Sequence, residues 1–494
     1  MIKLQAVGYE ALIQKYNLET IPNWHYSFVS VDSHLQKVEE EGLRTCEIYS
    51  KKYAIENSTT ANLEFALKYD GINLTLLTLI FEQMEEQELV AYILSKPSGR
   101  YARKLWYLYE FLMEKKLPID DLKQGNYVEL LEEEKYYTIE NPQTIKRQRI
   151  RDNLLGDRRF CPMVRKTEKL KSFEEKDLAK KAKEILTQYP ERLLKRALGY
   201  LYTKETKSSF EIEQVSPSSS RVEKFIGLLK EAHKDDFCTK ESLIALQNRI
   251  VDARFVDSAY RTTQNYVGER ISYLEEKIHY ISPKPKDLTI LMEGLIASHE
   301  KMSDSPLLSV VHATVIAYGF VYLHPFEDGN GRIHRFLLHN ILTREGFTPN
   351  EMVFPISAVM LKHPTAYESS LELFSSPLLS LIDYNLDDDG KMEVLSETDL
   401  WYRTIDMTAQ VEAMYGFIVQ TIEEELEQEL AFIEQYDRSK KAIQAVVDMP
   451  DREIDLFIRF VTQNGGKLSV NKRSKYFEFL SDDEVGIMER CIGI

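Results

Sequence analysis

Cysteine is scarce in this chain. Its four cysteines, Cys46, Cys161, Cys238 and Cys491, lie far apart and form no C-x-x-C pair, so reduced, mostly buried thiols are expected rather than a disulfide framework or a structural zinc site. Glycine and proline are also few, 20 and 16 in 494 residues, which sets the chain apart from fibrous and disordered sequences. No segment offers the ~20 apolar residues of a membrane span. The N-terminus, MIKLQAVGYEALIQKYNLETIPNW, lacks the apolar core of a secretory signal. A soluble, cytoplasmic protein without a membrane partner is therefore expected. Positive charge is in deficit, with 63 Lys and Arg against 79 Asp and Glu and a formal net charge of −16. That balance argues against broad non-specific binding to nucleic acid or anionic lipid and leaves only a local basic patch open. Neither a repeat of constant period nor a low-complexity segment is present.

What the chain has in quantity is helix-forming sequence. Hydrophobic residues make up 43% and charged residues 29%, and the length exceeds one ordinary core, so two to four domains are expected. Residues 1–190 read as a helical, winged-helix-like region with some short strands, in which PSG breaks a helix–turn–helix. Arg100, Arg103 and Lys104 could meet phosphates there, but a solvated face is favoured because no base-reading side chains can be assigned. From about Asp177 to Phe374 the helical period is nearly continuous, as in AKKAKEILTQYPERLLKRALGYLYTKE, and 191–375 is taken as the central domain. Within it, YISPKPKDL carries two prolines and suits an edge hairpin or flap. Residues 376–447 read as a helical linker, and 448–494 as a small helical or winged-helix-like module whose Lys472, Arg473 and Lys475 are read as a solvated face. The expected fold class is mainly α.

One stretch does not fit a packed helix. Residues 324–335, HPFEDGNGRIHR, are polar, yet strongly apolar VVHATVIAYGFVYL precedes them and FLLHNIL follows. A polar loop between two buried helices is the natural reading. Gly329 and Gly331 around Asn330 let backbone N–H groups turn toward an anion, the more so if a helix begins just after them. Arg332 and Arg335, three apart at that helix start, share a face and could hold successive phosphates. Asp328 is a hard oxygen ligand suited to Mg²⁺ beside phosphate oxygens. His324 could take a proton from an incoming hydroxyl. A base, a metal ligand, an anion cradle and an arginine clamp are what phosphoryl or nucleotidyl transfer needs. His312 and His334 are read as packing histidines, and Phe320, Tyr322 and Phe326 as core.

The stretch resembles the Fic family signature H-x-F-x-D/E-G-N-G-R-x-x-R at every fixed position. The likeness extends to RTTQNYVGE (261–269) and YISPKPKDL (280–288), which are similar to the segments around that family's substrate-positioning flap, and it covers about residues 200 to 375. The resemblance implies a helical Fic core with a short β-hairpin flap that transfers AMP from ATP to a hydroxyl of a target protein. In that reading His324 is the general base and Asp328 the Mg²⁺ ligand. Gly329, Asn330 and Gly331 form the cradle, Arg332 and Arg335 are the clamps, and Phe326 is the buried anchor of the loop.

Fic proteins often carry an inhibitory helix, S/T-x-x-x-E-G/N, whose glutamate pairs with the second motif arginine. Ser209-x-x-x-Glu213 is favoured for that role, although Gln214 stands where Gly or Asn is usual. The rival is Glu56-Asn57, with Lys52 where Ser or Thr should be. Three readings follow. The first is an autoinhibited protein adenylyltransferase, capable of self-modification and open to homo-oligomerisation; the second is a phosphodiesterase that removes AMP at the same site. The third is a non-catalytic regulator that binds nucleotide or, less readily, DNA.

Overall fold

The apolar run ahead of the motif folds as a sequence without a polar face should. In the computed structural model, Ser309–Leu323 is a helix buried on nearly every side. The structure describes residues 4–31, 36–41, 44–272, 275–305, 308–349 and 352–492. These fall into two units: Met1–Glu175, Glu231–Glu345 and His363–Tyr415 form the first, and Lys176–Lys230, Gly346–Lys362 and Gly416–Ile494 the second.

In the first unit the motif joins Ser309–Leu323 to a second buried helix, Asn330–Arg344, and the two pack on each other. A third helix, Pro285–Ser303, packs against Ser309–Leu323 and begins on a proline, whose fixed φ and missing N–H suit a first turn. At Gly294 of this helix a Cβ would stand 2.6 Å from the backbone nitrogen of Phe160, so only glycine lets that segment cross so closely.

The nearly continuous helical sequence from Asp177 to Phe374 is broken by strands where a flap is expected. Tyr266–Ser272 and Glu275–Ile281 pair antiparallel, Tyr266 opposite Ile281, in a sheet of their own. This is the expected flap, but it ends at Ile281: Pro285 already belongs to the next helix. The β-branched and aromatic residues of YVGERIS and KIHYI favour a pleated surface once a neighbour is present. A second small hairpin, Tyr384–Leu386 with Met392–Val394, follows the helix Pro364–Leu379.

The N-terminal part of this unit holds a mixed four-stranded sheet in the order Leu4–Val7, His25–Ser30, Arg44–Tyr49, Lys37–Glu41, with the central pair parallel. Its helices Leu74–Gln83, Glu86–Ser95 and Arg100–Met113 enclose an apolar cluster around Leu76, Leu105 and Trp106. Arg103 and Lys104 are buried here. The Arg103 guanidinium donates to the carbonyls of Asn126 (2.9 Å) and Arg149 (3.0 Å), so it holds loops together and is neither a solvated charge nor a phosphate contact.

Among its described residues the second unit has helices and no strands. Its long helix Glu191–Ile212 buries Glu205, which accepts hydrogen bonds from the backbone N–H (2.9 Å) and hydroxyl of Ser357 at the start of Ile356–Lys362. Lys204 bridges Glu425 and Glu429. The last part of the chain folds as three helices, Asp451–Gln463, Val470–Tyr476 and Asp482–Ile492, over a core that includes Phe457 and Phe477.

Candidate active site

His324 ends the helix Ser309–Leu323 in a left-handed conformation, φ 49°, with its N–H given to Phe320 O at 3.0 Å. That geometry turns the chain sharply and carries the imidazole out of the helix line. Its Nδ1 lies 3.1 Å from Val321 O. A carbonyl can only accept, so Nδ1 carries the proton and the basic lone pair of the neutral ring is on Nε2.

The loop is held by groups from well outside it. Asn330 clamps it internally, accepting from Phe326 N (3.0 Å) and donating to Phe326 O (2.7 Å). The side chain of Asn330 therefore shapes the loop, and only its backbone is left to a cradle. Phe326 is fully buried, edge-on to Tyr260. Arg261 is the main outside strut: its guanidinium donates to His324 O (2.8 Å), Thr263 O (2.7 Å) and Pro283 O (2.7 Å), tying the base of the flap to the histidine. Burial pushes this guanidinium down to about 10. Asn265 donates to Phe326 O (3.1 Å) and Gln247 to Asp328 O (3.3 Å). Tyr280 of the flap hydrogen-bonds to Tyr322 O. The segments 261–269 and 280–288 carry a sequence signal, yet nothing in them singles out Arg261 or Tyr280, and Gln247 carries no signal at all.

Gly329 is the N-cap of the next helix at φ 93°, where a Cβ would also meet Val251 Cγ1 at 2.9 Å. Asn330, Gly331 and Arg332 form the first turn, so their N–H groups point toward the loop mouth with the positive end of the helix dipole. Arg332 and Arg335, only 1% and 2% exposed, rank among the largest buried side chains of the protein. Arg332 Nη2 lies 2.5 Å from Asp328 Oδ1, and the Asp328 side chain keeps 42% of its surface open. Among the described residues no three His, Cys, Asp or Glu side chains converge as a protein-built metal cage. One accessible carboxylate beside an anion site is nonetheless the donor set Mg²⁺ takes when phosphates and water complete its shell.

A cleft of about 360 Å³ opens beside His324. Its walls come from Val267 and Tyr280 of the flap, Val321 and Tyr322 of the helix end, and Leu371 and Ser375 of Pro364–Leu379. In the second unit, Ser209 is buried and Glu213 is the C-cap of Glu191–Ile212. Gln214, which follows, has φ 55°. Glycine or asparagine adopts that left-handed conformation most easily, which is the physical reason for a G/N at this place in the inhibitory pattern. Glu56 is exposed and lies outside any helix, after the short turn Lys51–Tyr53.

Comparison with known proteins agrees with this geometry. Residues 237–342 match the model of the Fic/DOC family. The chain is 35% identical over 124 residues to the protein adenylyltransferase Fic of Culex quinquefasciatus and 32% over 124 residues to that of Aedes aegypti. Each match takes in 24% of this chain and 22% of the relative, so the chain spans about a fifth of the length of these curated relatives. Among solved structures, a Fic family protein from Desulfovibrio desulfuricans G20 aligns with 67% of this chain and 85% of its own, at 16% identity and a TM-score of 0.37. Residues 237–342 of this chain are thus a Fic/DOC family domain.

Proposed function

We propose that this chain is a protein adenylyltransferase, moving AMP from ATP to a hydroxyl of a target protein, and that its own Glu213 restrains it. The observation that carries the reading is the tautomer of His324, fixed by Val321 O, beside a helix N-terminus with two buried arginines. Nε2 takes the proton of the acceptor hydroxyl as that oxygen attacks the α-phosphorus. One P–O bond forms, the bond to the β-phosphate oxygen breaks, and pyrophosphate leaves. The first-turn N–H groups with Arg332 and Arg335 hold the phosphates and the charge that grows on them. Asp328 would hold Mg²⁺, which supplies Lewis-acid neutralisation of the phosphate oxygens when bound.

The flap offers an extended edge to the target, because among the described residues its two strands pair only with each other. Such pairing fixes an acceptor hydroxyl while reading neighbouring side chains weakly. Glu213 is the restraining carboxylate in this reading, supported by its place at the end of a helix after a buried Ser209 and before a left-handed residue, although that residue is Gln214 where the pattern has Gly or Asn. By competing for Arg335 it would keep the γ-phosphate out. Self-modification and a cytoplasmic setting, where four cysteines stay reduced, belong to the same reading.

The test is incubation of wild-type, His324→Ala and Glu213→Gly protein with α-labelled ATP and Mg²⁺, with and without cell lysate. Label on protein that is lost in His324→Ala and increased in Glu213→Gly supports the reading. No protein-bound label from any of the three would end it.

A further inference from the structure

Two buried histidines that take no part in this chemistry touch each other. His299, near the end of Pro285–Ser303, places Nδ1 3.0 Å from Nε2 of His312 on Ser309–Leu323. At the outer ends of the pair, His299 Nε2 is 3.0 Å from Asp236 Oδ2 and His312 Nδ1 is hydrogen-bonded to Glu345 Oε1. Both rings are buried. The result is a continuous chain of carboxylate, imidazole, imidazole and carboxylate.

Every ring nitrogen is engaged, so the protons can be counted. Three contacts need three protons, whereas two neutral imidazoles bring two and two carboxylates bring none. Whichever tautomers are chosen, at least one contact then sets lone pair against lone pair. The chain closes only with one proton more.

The surroundings suit that proton. Arg344 Nη1 lies 3.1 Å from Asp236 Oδ2, and Cys238 N donates to Asp236 Oδ1 at 2.8 Å. With Arg344 facing Asp236 and an imidazolium facing Glu345, the assembly is electrically balanced. Burial alone would raise the Asp236 carboxyl, but the hydrogen bond and charge of His299, with Arg344, hold it well below the usual range. Burial pushes the Cys238 thiol up, so it stays uncharged, and Glu300 is a further acid beside it. Burial also holds the His312 imidazole below its ordinary value against the pull of Glu345, so the third proton is taken up on acidification.

His312 is the fourth residue of its helix and Glu345 the cap of the next, both at the ends away from the motif loop. We propose that Asp236, His299, His312 and Glu345 form a proton-operated strut at the ends of the motif-bearing helices remote from the loop, closed in all three links when a third proton is bound and open in one when it leaves.

The test uses Glu345→Gln in the full chain. The amide donates to His312 Nδ1, His312 Nε2–H serves His299 and His299 Nε2–H serves Asp236, so three links close without an added proton. Hydrogen exchange of peptides spanning 308–316 and 340–349 is compared between the two proteins at the same pH, from 5.5 to 8.5, so that the chemical exchange rate cancels. At pH 8.5 the variant should protect these peptides about tenfold better than wild type, the cost of leaving one buried acceptor unsatisfied. The advantage should shrink as the pH falls and wild type takes up its proton. Glu345→Ala, with no donor to offer, should protect less than wild type at pH 5.5. Should Glu345→Gln not fold, Asp236→Asn supplies the missing donor at the other end and is read the same way. A variant no better protected than wild type at pH 8.5, or an advantage unchanged across the range, overturns the proposal.

Discussion

The imidazole of His334 stands edge-on to the ring of Tyr318, centroids 4.9 Å apart and planes at 87°. His334 occupies a variable place in the motif, but this contact fills the seam between the two helices that carry the loop. The histidine is therefore a packing residue, and burial pushes it down to about 3.

A stability prediction follows from that displacement. In the unfolded chain His334 takes a proton near pH 6.5, while in the folded chain it stays neutral until about 3. Its contribution is complete above pH 6.5 and is lost as the pH falls toward 3, at no more than about 1.4 kcal/mol per pH unit. Denaturant unfolding of wild type and His334→Phe from pH 7.5 to 4.5 checks this. The wild type should lose stability more steeply below pH 6.5, and parallel curves would falsify the assignment.

Arg261→Met should lower protein labelling by more than tenfold, because three carbonyls lose a charged donor and His324 loses its tie to the flap. Arg261→Lys should not rescue it, since one ammonium cannot span the fork. Far-UV circular dichroism separates misfolding from loop disorder, and full activity in the lysine variant would count against the strut.

Gln214→Gly should raise the melting temperature of the unit that carries it. A left-handed non-glycine residue costs roughly 1 kcal/mol, which glycine relieves, so a rise of a few degrees is expected in calorimetry. An unchanged or lower midpoint would show that the Gln214 side chain supplies a compensating contact.

Glu213→Gly should increase labelling and self-modification about tenfold or more, the effect of freeing one charged hydrogen-bonding partner, while Glu56→Gly should not. Filter-bound radioactivity with and without lysate distinguishes them. The reverse pattern would move regulation to the N-terminal region.

The motif was legible because its chemistry is contiguous. His324, Asp328, the glycines and both arginines fall within twelve residues, and the apolar flanks declare the helices that hold them. The left-handed turn at Gly329 could likewise be anticipated from local backbone preferences. Other features depended on partners distant in the chain. A flap is expected around YISPKPKDL, but which residues pair, Tyr266–Ser272 with Glu275–Ile281, depended on each strand finding the other. Arg103, taken as a surface charge, is buried because loop carbonyls near residues 126 and 149 come to meet it. Arg261 reaches a histidine 63 residues away, and the carboxylates at 236 and 345 meet across a pair of histidines 13 apart. Sequence by itself determined which groups could do chemistry and on what local backbone, since those depend on near neighbours. Burial and tertiary packing decided which charges are held in place, which tautomers they impose and where a proton is stored, because desolvation and hydrogen bonding there are set by residues that only folding brings together.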